Sequence, residues 1–556
     1  MNEFAKTGVF VGAAAGLALL AMAVKPGEVR LDLYDDQGQE FFAGFTDSAD
    51  VAELEVTAFR EASSDIYAFA VKRDDKGVWT IPSHGNYPAD ASDQMGKAAA
   101  MLIGLKKQKV VGDEKGRHAE YGVVDPLAEG AETAGRGKRV TMKDKAGNVL
   151  ADLIVGKEVE DKPQTFYVRV PGKKRVYQTK LEGKLSTQFA DWIETDLLKA
   201  QAFNISKVTF DDYSIDEQQG QIVPGDKIEL TKGADNKWAL AGIDAEKEET
   251  NQTKASEIGT TLSQIKIVGV RTKPEGLTAR LERANGVEAR ILQQHLQDKG
   301  YFLGRGGKLY SFEGDLLFTT KAGVRYTLRF GKSVFGQGDE LTAGIGGDEA
   351  ADDNGGEDAP KPSANNRYLM VTAEFDESLL DKPEGARIAQ EEVDKRREAR
   401  REIEAIVRAI NAYRAANDNQ LPESLAALTD KSDDGDALLA ELKPDPWGGD
   451  YALEPNGESF VVLSHGPDKA AGGEGADQDV RSDAFDVEDA IAKAAGAWAT
   501  FDSKVKSGQE EAERLTKRFG PWYYVIDQEL FAKLKPKRED LVQAKKADED
   551  GKQPPK

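Results

Sequence analysis

An uncharged run near the start of the chain, residues 8–24 (GVFVGAAAGLALLAMAV), limits its folding options more than any other feature, and Lys25-Pro26-Gly27 follow it at once. A helix without a polar face cannot lie on the surface of a globular domain, so this stretch must be received by something apolar. Its length is at the lower edge of a bilayer span of about 20 residues. Ala21-Met22-Ala23 also fits the A-x-A pattern of a signal-peptidase site. The only cation ahead of the run is Lys6, beside Glu3, whereas secretory signals usually carry more positive charge. The expectation is therefore an uncleaved single-pass anchor (8–24) with a short cytoplasmic stub (1–7) and the bulk of the chain on the extracytoplasmic, periplasmic side. A cleaved signal would export the body equally.

With 556 residues the chain exceeds what one core supports, because single cores stop growing at roughly 250–300 residues. Its 75 Lys and Arg stand against 98 Asp and Glu, a net charge of -23 that repels the phosphate backbone and argues against a nucleic-acid role. The absence of Cys excludes disulfides, thiolate metal sites and cysteine nucleophiles.

After the anchor, period-2 patterns predict short strands at 29–35, 40–45, 52–59 and 66–81. A helix-like stretch, 89–106, and a strand pair, 137–156, folded about Lys145-Ala146-Gly147-Asn148, complete a first α+β unit, 25–200. The same order recurs over 201–335. Trp238, a helix at 253–265, Val268-Gly269-Val270 and a hairpin around Lys321-Ala322-Gly323 answer Trp79, the first helix, Val110-Val111-Gly112 and Lys145-Ala146-Gly147. The hairpins end alike, in Ile154-Val155-Gly156-Lys157 and Arg329-Phe330-Gly331-Lys332. The reading is an internal duplication. Residues 336–366 form an acidic, Gly-rich linker and 367–385 hold a strand of the host domain. A charged helix at 386–416 places Ile403, Ile406, Val407, Ile410 and Tyr413 on one face and opens an inserted module, 386–485. Residues 486–534 supply a closing helix and aromatic strand, and 535–556 a disordered tail. The fold class is α+β with antiparallel sheets.

Two stretches carry resemblances. Gly77-Val78-Trp79-Thr80-Ile81-Pro82, Tyr87-Pro88-Ala89-Asp90-Ala91, Tyr121 to Pro126, Tyr167-Val168-Arg169 and Trp522-Tyr523-Tyr524-Val525-Ile526 are similar in order and spacing to an uncharacterised domain family of membrane-anchored exported proteins. That family is often encoded beside gliding-motility-type ABC transporters, and the resemblance implies a non-enzymatic accessory subunit with permease and ATPase partners. Residues 400–483 resemble the soluble half of the major pseudopilin of type II secretion. The carrying residues are Ala412-Tyr413, Leu421-Pro422, Leu442-Lys443-Pro444-Asp445-Pro446-Trp447-Gly448-Gly449, Phe460 to Asp468 and Gly472 to Val480. In that family the last loop binds calcium, which assigns Asp468, Asp477, Asp479 and Val480 here as the metal site. The apolar half-helix that packs pseudopilins into filaments is replaced by the charged stretch 391–402.

Calcium takes six to eight hard oxygens, which a Gly-rich loop bearing these aspartates and its own carbonyls can supply. A second spacing, Asp430 to Glu441, satisfies the EF-hand pattern but lacks its context, since Pro444 and Pro446 forbid the exiting helix. Phe330-Gly331-Lys332-Ser333 ends like a phosphate-binding loop, but Tyr326 stands where its first Gly belongs. His84, His118, His295 and His465 show no paired ligand spacing and read as surface or turn residues. No G-x-S-x-G elbow exists. The expectation is a non-catalytic accessory or scaffold subunit of a transport or secretion-type envelope complex, with a structural calcium site. The alternative is a cell-surface binding module for envelope polysaccharide or peptide.

Overall fold

Alternating apolar residues build one core row after another across antiparallel strands. In Glu53–Arg60, Leu54 and Val56 are buried and stand opposite Val71 and Phe69 of Asp65–Arg73 on one side, and Met142 and Val140 of Lys138–Lys143 on the other. Val140 and Met142 in turn face Leu153 and Ala151 of Val149–Glu158. Burying each larger side chain contributes about 1.5–3 kcal/mol, so a register slip that exposed the row would be strongly disfavoured. The computed structural model describes residues 3–23, 36–60, 64–130, 134–183, 185–216, 221–274, 277, 286–304, 308–336, 341–343, 366–431, 435 and 437–545. The strand expected at 29–35 lies outside them, as does the acidic linker apart from residues 336, 341–343 and 366.

Eight helices are followed here: α1 (Glu3–Ala23), α2 (Ser92–Ala100), α3 (His118–Tyr121), α4 (Gln252–Leu262), α5 (Gly286–Asp298), α6 (Gln390–Ala416), α7 (Phe485–Phe519) and α8 (Gln528–Leu534). The fold is mixed α and β with antiparallel sheets. The chain divides into two compact units, one of residues 1–197, 266–272 and 335–365, the other of 198–265, 273–334 and 366–556. The second unit takes in Asn366–Phe375 and Trp522–Asp527, far later in the chain, because these strands complete its sheet.

The two sheets share a strand order. In the first unit the strands run in the order Tyr87–Pro88, Trp79–Ile81, Asp65–Arg73, Glu53–Arg60, Lys138–Lys143, Val149–Glu158, Thr165–Arg169, Val176–Lys180, Lys109–Gly112. In the second the order is Trp238–Leu240, Gln221–Lys232, Ile205–Asp216, Asp315–Thr320, Val324–Val334, Asn366–Phe375, Trp522–Asp527. Core rows repeat with it. Val208 and Phe210 face Leu230 and Ile228 on one flank and Phe318 and Leu316 on the other, as Leu54 and Val56 do in the first unit. Each sheet places a buried Trp opposite a cation at the end of the neighbouring strand. The Arg73 guanidinium lies 4.5 Å from the Trp79 ring centroid and the Lys232 ammonium 4.7 Å from that of Trp238. Such contacts contribute about 0.5–1 kcal/mol or more and fix the same tryptophan in the same place twice.

The shared Gly-Lys endings mark a bulge. The ladder shifts register between Val155 and Glu158 and between Phe330 and Ser333. A Cβ on Gly156 would lie 2.4 Å from the Tyr121 carbonyl, and one on Gly331 2.1 Å from the Lys299 carbonyl, so both positions admit only glycine. The phosphate-loop likeness of Phe330-Gly331-Lys332-Ser333 is thus a packing feature.

The strand expected at 40–45 is instead a set of turns: Glu40 bridges Lys106, the Phe41 N–H donates to the Leu105 carbonyl and that of Phe45 to Phe42. The pairing with residues 105–107 stops at a single bridge and does not grow into a strand. Residues 535–545 are ordered, against expectation. Leu541 is buried and Val542–Ala544 pairs with Glu248–Thr250. The apolar Leu541 gives the charged segment its foothold, and residues 546–556 lie outside the described part. α1 is helical over the expected anchor, with Val9, Phe10, Val11 and Leu17 exposed. Among the described residues no helix is long and apolar enough to cross a membrane.

α7 lies on Asn366–Phe375, where the Thr516 hydroxyl donates to the Ala373 carbonyl at 3.1 Å. A Cβ on Gly508 would meet the Ala322 carbonyl and the Phe375 ring, each at 2.5 Å, while one on Gly496 of the same helix meets nothing. Gly508→Ala should therefore destabilise the protein by about 1–3 kcal/mol. Gly496→Ala should be neutral or stabilise by up to about 1 kcal/mol. Urea unfolding of the two variants checks the pair.

Candidate functional site

The inserted module is organised by α6. Ile403, Ile406, Ala409 and Ile410 form its buried stripe, joined by Ala399 and packed on Leu425, Leu428, Tyr451, Val462 and Val480, with Val407 and Tyr413 partly buried against them. The sequence-predicted face is the core face. Beyond the stripe, toward the helix start, the charged stretch 391–402 has a hidden side: Val393 packs with Ile388 and Ala495, and Arg396 is 1% exposed.

Arg396 joins three segments. Its Nε and Nη2 donate to both carboxylate oxygens of Glu488 on α7, at 2.9 and 2.7 Å, and its Nη1 donates to the Ala476 carbonyl of the Gly-rich loop at 2.9 Å. Glu488 is 8% exposed. A bidentate guanidinium–carboxylate pair withdrawn from water holds its geometry rigidly, since each partner left alone would be an uncompensated buried charge. Arg400 adds a pair to Asp489 at 2.6 Å.

A second buried carboxylate, Asp445, arranges the other side of the loop. It accepts the Trp447 N–H at 3.0 Å, the Gly449 N–H at 2.7 Å and the Ser464 hydroxyl at 2.5 Å, and Ser464 accepts the Gly466 N–H at 3.1 Å. This network holds the start of the loop that carries the predicted metal residues. Asp479 is buried. Its Oδ2 accepts the Gly472 N–H at 3.0 Å, its N–H donates to the Gly472 carbonyl at 3.0 Å, and its Oδ1 is 3.4 Å from His465 Nδ1. Asp468 and Asp477 are exposed; the Asp468 carboxylate accepts the Ala470 N–H at 3.1 Å. Val480 is buried in a short strand opposite Ser464. Among the described residues no three acidic or histidine side chains converge as a metal cage. The donors are hard oxygens of the type calcium takes, but an ion here would depend on backbone carbonyls as much as on carboxylates. Sequence reading missed Asp445 and Arg396. The Asp-Pro-Trp-Gly-Gly turn signals the first, and nothing local distinguishes Arg396 from its charged neighbours.

Two histidines depart from the surface reading. His84 is buried, stacked on Phe189 with ring centroids 4.1 Å apart and bonded to Ser83 and Thr342. Burial pushes its pKa down to about 3, with the nearby Arg271 charge acting in the same direction. His118 is buried and donates to the Lys174 carbonyl at 2.8 Å. Both are structural. In the second unit Lys273 is buried at the end of α7, donating to the Phe519 carbonyl at 3.3 Å with its ammonium 5.4 Å from the Tyr523 ring centroid. Burial pushes its pKa down to about 7, while the helix C-terminus favours the cation. The Trp522, Tyr523 and Tyr524 side chains are all buried, so the aromatic strand is core.

Comparison with known families assigns two parts of the chain. Residues 79–283 match the model described as Domain of unknown function (DUF4340), and residues 387–483 match Type II secretion system (T2SS), protein G. The chain carries both domains. No curated protein matches it. The second match spans α6, the Asp445 network and the Gly-rich loop, and ends five residues short of Glu488. The partner of Arg396 thus belongs to the closing helix, outside the matched module.

Removing one member of the Arg396–Glu488 pair, by Arg396→Ala or Glu488→Ala, should destabilise the second unit by about 3–5 kcal/mol. Arg396→Met with Glu488→Leu should recover most of that loss. Denaturant unfolding of the two single variants and the double variant measures the coupling.

Proposed function

We propose that this chain is a non-catalytic accessory or scaffold subunit of a transport or secretion-type envelope complex, anchored in the cell membrane by α1 with its body on the extracytoplasmic side. The observation that carries the reading is the presence in one chain of a pseudopilin-type domain and a domain of a family without assigned activity. Pseudopilin-type domains belong to secretion assemblies. The uncharged run of residues 8–24 supports the anchor, since it has no polar face and lies at the lower edge of the length of a bilayer span. The partners are membrane proteins of the same envelope complex, an ABC-type permease and its ATPase among them. Affinity purification of the full chain from native membranes should bring down permease and ATPase subunits in fixed ratio; recovery of the chain alone from gently solubilised membranes would refute the reading.

A calcium ion ordering the 466–480 loop is part of the proposal, with oxygens from Asp468, Asp477, Asp479 and the Val480 backbone. Calcium should raise the melting temperature of the full chain, and Asp479→Ala should remove the rise. Identical melting in calcium and in chelator would discard the ion while leaving the scaffold role intact.

A further inference from the structure

In a chain of net charge -23, one sheet edge is basic. Lys109–Gly112 is the outer strand of the first sheet and pairs with Val176–Lys180, Lys109 opposite Gln178 and Gly112 opposite Val176. Ahead of these strands lie Lys106 and Lys107 on one side and the turn Lys173-Lys174-Arg175 on the other. The Thr179 hydroxyl donates to the Lys106 carbonyl at 2.8 Å, which ties the two segments together. Lys107 and Arg175 converge on Asp36, at 3.4 and 2.9 Å. Lys106, Lys109, Lys173 and Lys174 are exposed, and among the described residues none of them pairs with a carboxylate. Asp36 and Glu40 are the acids that the adjoining segment brings to this edge, and Asp113 and Glu114 follow beyond the strand.

The same edge is where the body begins after α1. The Gly38 N–H donates to the Lys107 carbonyl, the Lys107 N–H to Gln39 and the Phe41 N–H to Leu105, at 2.7, 2.9 and 2.8 Å. Between the end of α1 at Ala23 and Asp36 lie only residues 24–35. Fully extended, that length reaches no more than about 47 Å. An acidic body tethered this closely to an anionic bilayer is repelled by it, unless the surface nearest the tether has the opposite sign.

We propose that the Lys106, Lys109, Lys173 and Lys174 edge docks on an anionic phospholipid surface and so orients the body on the membrane. The proposal rests on the anchor reading above, and its test separates the two. The chain has no cysteine, so Gln108→Cys, at an exposed position between these lysines, gives a unique site for a fluorophore. The labelled full chain is reconstituted with vesicles of phosphatidylcholine alone or with about 30 mol% phosphatidylglycerol, both carrying a headgroup nitroxide quencher. Quenching should be at least about twofold stronger in the anionic vesicles, and should fall to the phosphatidylcholine level in about 0.5 M salt, where the Debye length drops below about 5 Å. The variant with all four lysines changed to Gln should show the lower level without salt. Equal quenching in the two vesicle types, or quenching untouched by the Lys→Gln changes, would overturn the proposal and leave these lysines as guards of an exposed edge strand. Flotation tests the anchor separately, because a chain that fails to float with phosphatidylcholine vesicles is not held by α1, whatever the quenching shows.

Discussion

The second sheet must pair two strands that the chain visits far apart. Asn366–Phe375 and Trp522–Asp527 are hydrogen-bonded neighbours, with Leu369 opposite Tyr524, yet the whole pseudopilin-type module and α7 lie between them in sequence. The equivalent strands of the first sheet, Thr165–Arg169 and Val176–Lys180, are joined by a short turn. Loop-closure entropy grows only slowly with length, so a folded insertion at this turn costs little as long as its own ends stay close together. Helix α7 satisfies that condition. It runs from the module back across Asn366–Phe375 and delivers the chain to Trp522.

The lock at Arg396 fits the same requirement. A domain matched to the secretion family only as far as residue 483 cannot by itself fix the direction of the helix that follows. The bidentate pair to Glu488 does so, and the third donor, to Ala476, includes the Gly-rich loop in the same joint. Buried ion pairs are poor sources of net stability compared with apolar packing, but they specify geometry. Direction is what this joint needs.

Much of the architecture was legible in the sequence because it is written in period-2 alternation and in repeated words. Trp79 and Trp238, the two Gly-Lys endings and the stripe from Ile403 to Tyr413 took the places that their spacing implied. The failures share a cause: short segments whose fate is decided by distant partners. Residues 40–45 look like a strand but make one bridge to Lys106 and then turn, and 538–544 look like a solvated tail but fold because Leu541 finds a core and Val542–Ala544 finds Glu248–Thr250. The loop from Asp468 to Val480 was legible as a loop. Its supports were not, because a buried arginine in a charged helix and an aspartate in a proline-rich turn show their importance only once the partners at Glu488 and Ser464 are in place.

The way the module is attached also sets how the protein bears load. Both connections leave from the same end of the strand pair, as in a hairpin, so tension on the module would open the rungs between Asn366–Phe375 and Trp522–Asp527 one at a time from the Trp522 end. Peeling of this kind resists far less force than sliding two strands past each other. The 35 residues of α7 change that arrangement: the helix is seated at Gly508 against Phe375 and bonded at Thr516 to Ala373, so part of a pull passes through these contacts before it reaches the first rung. The close seat at Gly508 therefore determines whether the joint transmits a pull or unravels under it.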